Sequence, residues 1–351
     1  MAEAQDPGAG TGTGAASRPN VLVLSASRKV LLVRAFQAAA ARRGAGRVIA
    51  ADVSPLAAAL YAADAARLIP RSDDPAFVDR LLELCAADRV GLVVPTRDEE
   101  LPVLAAARGR FAEAGILVLV SSPEAVDTCR DKLRFGAAVA AAGLATPATW
   151  DGVADLATVP LPAFVKPRWG KGGRGAAPVR TLEDLRGAVD ALRGQAVVQE
   201  LVEAPEYTID AFIDLDGRPI SCVPRERMQV VGGESVVSRT VGDPELVAAT
   251  LRLCAAIGLV GHLTVQAFRT RDRIAFIEIN PRYGGAANLG FEAGARTPEH
   301  ALALAAGERL EPALDAYEAG MVMLRHAADA FVRQSELLVP VAGTDGRGAA
   351  G

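Results

Sequence analysis

The residues of this chain best suited to chemistry lie in one short segment, Ile274-Ala275-Phe276-Ile277-Glu278-Ile279-Asn280-Pro281-Arg282. Read as a strand, its period of two places Glu278 and Asn280 on one face and Ile277 and Ile279 on the other. A carboxylate and an amide at the end of an apolar strand are costly unless they have partners. Gln266, on the strand predicted just upstream, can face the same side. One carboxylate and two neutral amide oxygens suit a hard cation that arrives carrying phosphate oxygens, which is how Mg2+ is usually held. The competing reading is structural: Glu278 pairs with Arg282, and Asn280 caps a turn before Pro281.

A second group surrounds a glycine-dense loop, Trp169-Gly170-Lys171-Gly172-Gly173-Arg174-Gly175, which follows a predicted strand, Ala163–Lys166. The GxGxxGK[ST] pattern is absent, so this is not a Walker loop. Lys166 at the root of such a loop can hold phosphates while backbone N–H groups close over them. A surface loop with solvated cations accounts for the same residues. The third group, Val197-Val198-Gln199-Glu200-Leu201-Val202, presents either backbone groups to an adenine edge or an interdomain hinge.

These groups need elements to hold them. At 351 residues, the chain has the length of about two domains and can bury a core without staples. Between Asn20 and Val120, short β-branched runs alternate with amphipathic stretches: strands at Val21–Leu24, Val48–Ala51, Arg67–Ile69, Gly91–Val94 and Ile116–Val120, and helices at Arg28–Arg43, Pro75–Ala87 and Glu99–Ala114. That alternation implies a parallel sheet covered on both faces. Ser25-Ala26-Ser27-Arg28-Lys29 follows the first strand with no G-x-G-x-x-G, which argues against a dinucleotide site. One helix is predicted from Ser122 to Ala142, and another at Leu182–Leu192. A strand-rich remainder includes Tyr207–Asp214, Arg218–Arg225, Ser235–Thr240, Leu263–Thr270 and Arg273–Ile279, with a helix at Pro244–Ile257.

Composition removes several function classes. Half the residues are hydrophobic and 23% are charged, and the net charge of −4 gives no general attraction to nucleic acid or an anionic membrane. No apolar run is long enough to cross a bilayer, and the Gly/Ala/Thr-rich start has no signal-peptide core, so a cytoplasmic protein is expected. Cys85, Cys129, Cys222 and Cys254 show no metal-ligand or CxxC spacing and read as reduced, partly buried small hydrophobes. No GxSxG or Cys–His arrangement suggests a side-chain nucleophile.

Taken in order, Asp131-Lys132-Leu133, Phe164-Val165-Lys166-Pro167 with its glycine loop, Gln199-Glu200, Glu206-Tyr207-Thr208-Ile209-Asp210, Gln266 and Glu278-Ile279-Asn280-Pro281-Arg282 resemble the ATP-grasp superfamily. The resemblance is nearest to its carbamoyl-phosphate-synthase-like, single-module carboxylate–amine ligases and extends from about Asn20 to Arg325. It implies a mixed α/β and α+β chain: a disordered tail (1–18), a Rossmann-like preATP-grasp domain (19–121), a helical linker and mobile lid subdomain (122–203), a C-terminal ATP-grasp subdomain with the metal site (204–335), and a tail (336–351). It further implies that Lys132 and Lys166 contact ATP phosphates, with Gly172, Gly173, Arg174 and Gly175 in the lid. Glu200, Leu201 and Val202 form the adenine hinge, and Glu206 lies near the ribose. Gln266, Glu278 and Asn280 bind two Mg2+ ions, for which Mn2+ can substitute. Many members carry glutamate where Gln266 stands, which leaves the first metal site less anionic.

The implied activity is ATP-dependent amide formation through an acyl phosphate, with a small carboxylate and an amine as substrates and a homodimer as the family's common assembly. Arg282 would stabilise the transferred group. Arg225 and Arg239, on predicted strands, are candidates to clamp a substrate carboxylate, or are surface cations. Asp98 or Glu99 can hold the incoming amine or cap a helix, and Ser25–Arg28 occupy the corresponding sheet edge. Of the three histidines, His262 adjoins the metal strand. A kinase acting on a small molecule and a non-catalytic nucleotide-binding module are the alternatives.

Overall fold

The computed structural model describes residues 19–170 and 175–338. The expected N-terminal tail, most of the C-terminal one, and the lid residues Lys171, Gly172, Gly173 and Arg174 lie outside the described residues.

The first region follows the predicted alternation: β1 (Asn20–Val23), α1 (Val30–Arg43), β2 (Val48–Asp52), β3 (Ala65–Leu68), α2 (Phe77–Ala87), β4 (Val90–Val94), α3 (Leu101–Glu113) and β5 (Leu117–Val118). They form a five-stranded parallel sheet in the order β3-β2-β1-β4-β5. Alternate residues of β1 serve different cores. Val21 and Val23 pack with Phe36 of α1, whereas Leu22 packs with Leu81 of α2 and Phe111 of α3. Burial on both faces is why the strands read as continuous apolar runs. The strand order turns outward between β1 and β4, so the loops after them border a crevice at the carboxyl edge of the sheet.

The predicted helix from Ser122 to Ala142 is two helices, α4 (Pro123–Arg130) and α5 (Lys132–Ala141). The break is at Asp131, whose backbone is extended (φ −99°, ψ 112°) and whose carboxylate accepts the Leu133 amide at 3.0 Å. An aspartate satisfies more backbone donors as an N-cap than in a helix interior. Periodicity misses the break because Cys129 of α4 and Phe135 and Val139 of α5 enter the same core.

Next come β6 (Thr149–Asp151), β7 (Ala163–Pro167), β8 (Ala177–Val179), α6 (Leu182–Ala191) and β9 (Ala196–Glu200). The strands make an antiparallel sheet ordered β6-β9-β7-β8, with Leu185 and Val189 of α6 packed on Ala163, Val165 and Val198.

The chain continues through β10 (Glu206–Ile213), β11 (Pro219–Val231), β12 (Glu234–Thr240), α7 (Pro244–Ile257), β13 (Gly261–Arg269), β14 (Ile274–Asn280), α8 (Asn288–Glu292), α9 (Thr297–Ala305) and β15 (Val322–Leu324). Six of these are strands of one antiparallel sheet ordered β14-β13-β10-β11-β12-β15. Ile209, Ala211, Val265 and Phe276 on one face pack against α4, α5 and α7. The parallel sheet followed by this antiparallel one is the fold class that the sequence implies. Phe212 and Ile220, with Ala301 and Leu302 of α9, join the core around Phe36, so the large sheet is anchored on the first region. Sequence periodicity gives no warning of β6, β8 and β15, at three residues each too short to display a period. Among the described residues, no helix is long and apolar enough to cross a membrane.

Candidate active site

The pairing of β13 with β14 determines what the end of β14 presents. Gln266 lies opposite Glu278 and Thr264 opposite Asn280, but Ala267 lies opposite Phe276, so the register slips by one residue between these pairs. Strict alternation would have placed Phe276 beside Glu278. The bulge instead sends Phe276 and Ile279 into the core and leaves Glu278 and Asn280 on the outer face. Gln266, Glu278 and Asn280 therefore share a face, as the sequence predicts, and Asn280 Nδ2 donates to Glu278 Oε1 at 3.0 Å. Beyond Pro281 the chain crosses β13 so closely that a Cβ on Gly284 would lie 2.7 Å from Thr264 Oγ1.

Two lysines meet this face from the other sheet and from α5. Alternation along β7 commits Ala163 and Val165 to the α6 core, which turns Lys166 the opposite way. Its side chain is buried, and burial, with Lys132 adding repulsion, lowers its pKa to about 8 despite the favourable charges of Glu278 and Glu206. Lys132, the first residue of α5, is also buried and donates to the carbonyls of Gly170 (3.0 Å) and Arg168 (3.4 Å). Burial lowers its pKa too, and again Glu278 is the leading opposing charge. The two lysines and the strand carboxylate thus share one cleft. Arg168, bonded to both Asp131 oxygens at 2.9 and 2.6 Å, ties the root of the glycine loop to the cap of α5.

Further along the same face, cations come already paired. Arg225 is only 2% exposed; its Nε donates to Asp210 at 2.7 Å, and its Nη1 is buried with no partner among the described residues. Burial raises the Asp210 pKa, but Arg225 and His262 outweigh it and bring the carboxyl to about 2. Arg227 Nε lies 3.0 Å from Glu206, whose pKa burial and the nearby Glu278 raise. Arg282 grips Asp98 with Nε and Nη2 (2.9 and 2.7 Å) and also reaches Asn280 Oδ1 at 3.3 Å. The alternative pairing of Arg282 with Glu278 is not what the structure adopts.

Several expectations need correction. Arg239 does not share the cleft with Arg225: it pairs in register with Glu226, on the other face of the sheet, and binds that carboxylate at 2.6 Å with nearly half its side chain exposed. Arg225 is no surface cation either. Glu200 gives its carboxylate to Arg273 at 2.9 and 3.0 Å and to the Ala148 amide, so its side chain is already engaged at the expected hinge. Glu206 faces the cleft but is engaged by Arg227. Asp98, a candidate for the amine, is bonded to Arg282 through both oxygens. His262 is buried beneath the floor, stacked on Tyr283 at 4.0 Å and 3.7 Å from Asp210. The loop after the first strand is built in through Ser25, whose hydroxyl donates to Glu100 at 2.6 Å. Gly175, at φ +72°, closes the far end of the glycine loop. All four cysteines are free and buried.

Sequence reasoning passed over Arg227 and Glu100. The first was accessible, since a period of two puts it on the face of Arg225. The second was not: only the fold brings Glu100 under Ser25 and the amides of Thr96 and Arg97, at 2.6 and 3.0 Å.

The donor set suits Mg2+ carried by a polyphosphate. Glu278, Asn280 and Gln266 offer one charged and two neutral oxygens, too little charge to hold a bare dication, whereas Lys132 and Lys166 favour the phosphates that would complete its shell. A family described as "PylC-like, N-terminal domain" matches residues 21–119. Another, "ATP-grasp in the biosynthetic pathway with Ter operon", matches residues 193–326. The carbamoyl phosphate synthase large chain of Pseudomonas putida is 27% identical over 230 residues, 60% of this chain but only 21% of that protein. Among solved structures, the biotin carboxylase domain of Hydrogenobacter thermophilus 2-oxoglutarate carboxylase, in complex with MgADP and bicarbonate, superposes with a TM-score of 0.69 at 20% identity, covering 86% of this chain and 73% of that one. The L-amino acid ligase of Bacillus licheniformis gives 0.66 at 20% identity, covering 82% and 74%. The motif order and the cleft agree with both family matches, and the chain carries an ATP-grasp domain behind a PylC-like one.

Proposed function

We propose that this chain is a carboxylate–amine ligase that activates a small carboxylate as an acyl phosphate, joins it to an amine as an amide, and releases ADP and phosphate. One observation carries the reading: two buried lysines, with no carboxylate bonded to either among the described residues, face Glu278, Asn280 and Gln266 across a single cleft. Such a cleft is complementary to a polyphosphate and its cation.

Lys166 and Lys132 hold the phosphates, and Glu278, Asn280 and Gln266 hold two Mg2+ ions, or Mn2+ in their place. Bound there, the metal offsets charge on the phosphoryl oxygens. To bind phosphate, Lys132 must let go of the Gly170 and Arg168 carbonyls, which links nucleotide arrival to the root of the glycine loop. Gly172, Gly173, Arg174 and Gly175 close over the phosphates and keep water from the acyl phosphate. Leu201 and Val202 meet adenine through their backbone, and Glu206 neighbours the ribose. The buried Nη1 of Arg225 is a donor awaiting an acceptor, suited to the substrate carboxylate. Of the five N–H donors on Arg282, four are engaged, by Asp98, Asn280 and Tyr283. The fifth, with no partner among the described residues, suits the transferred group.

The substrates fitting this chemistry are amino acids or biosynthetic intermediates, one supplying a carboxylate and the other a free amine. Pools of both, offered with MgATP, should give phosphate release and a new amide only when the two are present together. A stable phosphorylated product formed without amine would instead make the chain a kinase.

A further inference from the structure

We propose that Asp98 is a positioning residue that keeps the Arg282 guanidinium away from Glu278, and so leaves that carboxylate open for the metal. The proposal builds on the metal role assigned to Glu278 above.

Asp98 sits in the loop between β4 and α3, and that loop is held without its side chain. Thr96 Oγ1 donates to the carbonyls of Leu24 and Ser25 at 2.7 and 2.9 Å. Glu100, 1% exposed, accepts from the Thr96 amide, the Arg97 amide and the Ser25 hydroxyl. With the loop fixed to β1, the Asp98 carboxylate reaches across to a residue 184 positions away and binds Arg282 through both oxygens. Arg282 follows Pro281 in an irregular segment after β14, where no helix or strand sets its direction. A two-point pair with a fixed carboxylate fixes the plane of a guanidinium.

The consequence lies one residue further on. Arg282 Nη2 also contacts Asn280 Oδ1, and Asn280 Nδ2 contacts Glu278 Oε1. With Asp98 neutralised, the nearest anion along this chain of contacts is Glu278. An arginine that swings onto Glu278 competes with the metal for the same oxygen, and the site loses its only carboxylate ligand among Gln266, Glu278 and Asn280. The pairing that the sequence permits and the fold avoids would then form.

The experiment is a titration of Mn2+ binding, read by electron paramagnetic resonance with ADP present and no carboxylate or amine. The wild type is compared with Asp98→Asn, Arg282→Met and the double variant, each checked for an unchanged melting temperature. Asp98→Asn should weaken Mn2+ by about tenfold or more, the effect of a lost charge-assisted contact. Arg282→Met alone should bind Mn2+ no more weakly than the wild type, and in the double variant it should restore most of the loss, because no cation then competes. A merely structural role for Asp98 predicts no such rescue. Unchanged Mn2+ affinity in Asp98→Asn, or a double variant as weak as that single one, overturns the proposal. A wild-type chain that binds no Mn2+ with ADP overturns the metal assignment of Glu278 and this proposal with it.

Discussion

The two walls of the cleft carry similar numbers of cations but prepare them in opposite ways. On the sheet floor, Arg225 is matched with Asp210, Arg227 with Glu206 and Arg282 with Asp98. On the lid side, Lys132 donates to backbone carbonyls, and Lys166 is held in a buried position that lowers its pKa to about 8. A paired arginine is a fixed fork whose direction is set before substrate arrives. A desolvated lysine is a charge held at a loss until an anion joins it, which is what gives a phosphate a reason to bind. On the proposed function, the floor serves orientation and the wall with the lysines serves capture.

The comparison is most sharply tested at Lys166. Replacement by methionine should weaken ADP and ATP binding by roughly a hundredfold, within the range for a charge-assisted contact, as read by calorimetric titration. The same variant should be more stable without nucleotide at pH 7, by on the order of 3 kcal/mol, because the cost of the buried charge disappears. The sign follows from the shift: the folded protein releases this proton at about pH 8, the unfolded chain near 10.5, so the cost is full below pH 8 and fades as pH rises through that window. Denaturant titrations of the wild type at pH 7 and pH 9 would show it, and a destabilised Lys166→Met would refute the capture reading.

Arg225→Met should behave in the opposite sense. Removing it strands Asp210 in the core, and a loss of about 3–5 kcal/mol of stability is expected from chemical denaturation. Asp210→Asn in the same background should recover part of that loss. The smallest effect belongs to Arg239, whose exposed pair with Glu226 lies behind the floor: Arg239→Ala should change stability by less than about 1 kcal/mol and leave ATP turnover within about twofold. A large loss of turnover there would return Arg239 to the site.

Much of this was legible in the chain itself. Continuous apolar strands betrayed the parallel sheet, because burial on both faces leaves no room for polar alternation. Glu278 and Asn280 could be placed together from local strand period, and Lys166 from its position beside a glycine loop, whereas Gln266 joined them only through the β13–β14 register. What the sequence could not decide depended on contacts between distant segments. Arg225 and Arg239 look equivalent until the β11–β12 register puts Glu226, not Arg225, opposite Arg239. Glu278 has an arginine four residues ahead, yet the fold delivers Asp98 to that arginine from another sheet. Side-chain type and local period fix which groups can do chemistry; register, bulges and the approach of remote loops fix which charges cancel, and that cancellation decides which remain to bind a ligand.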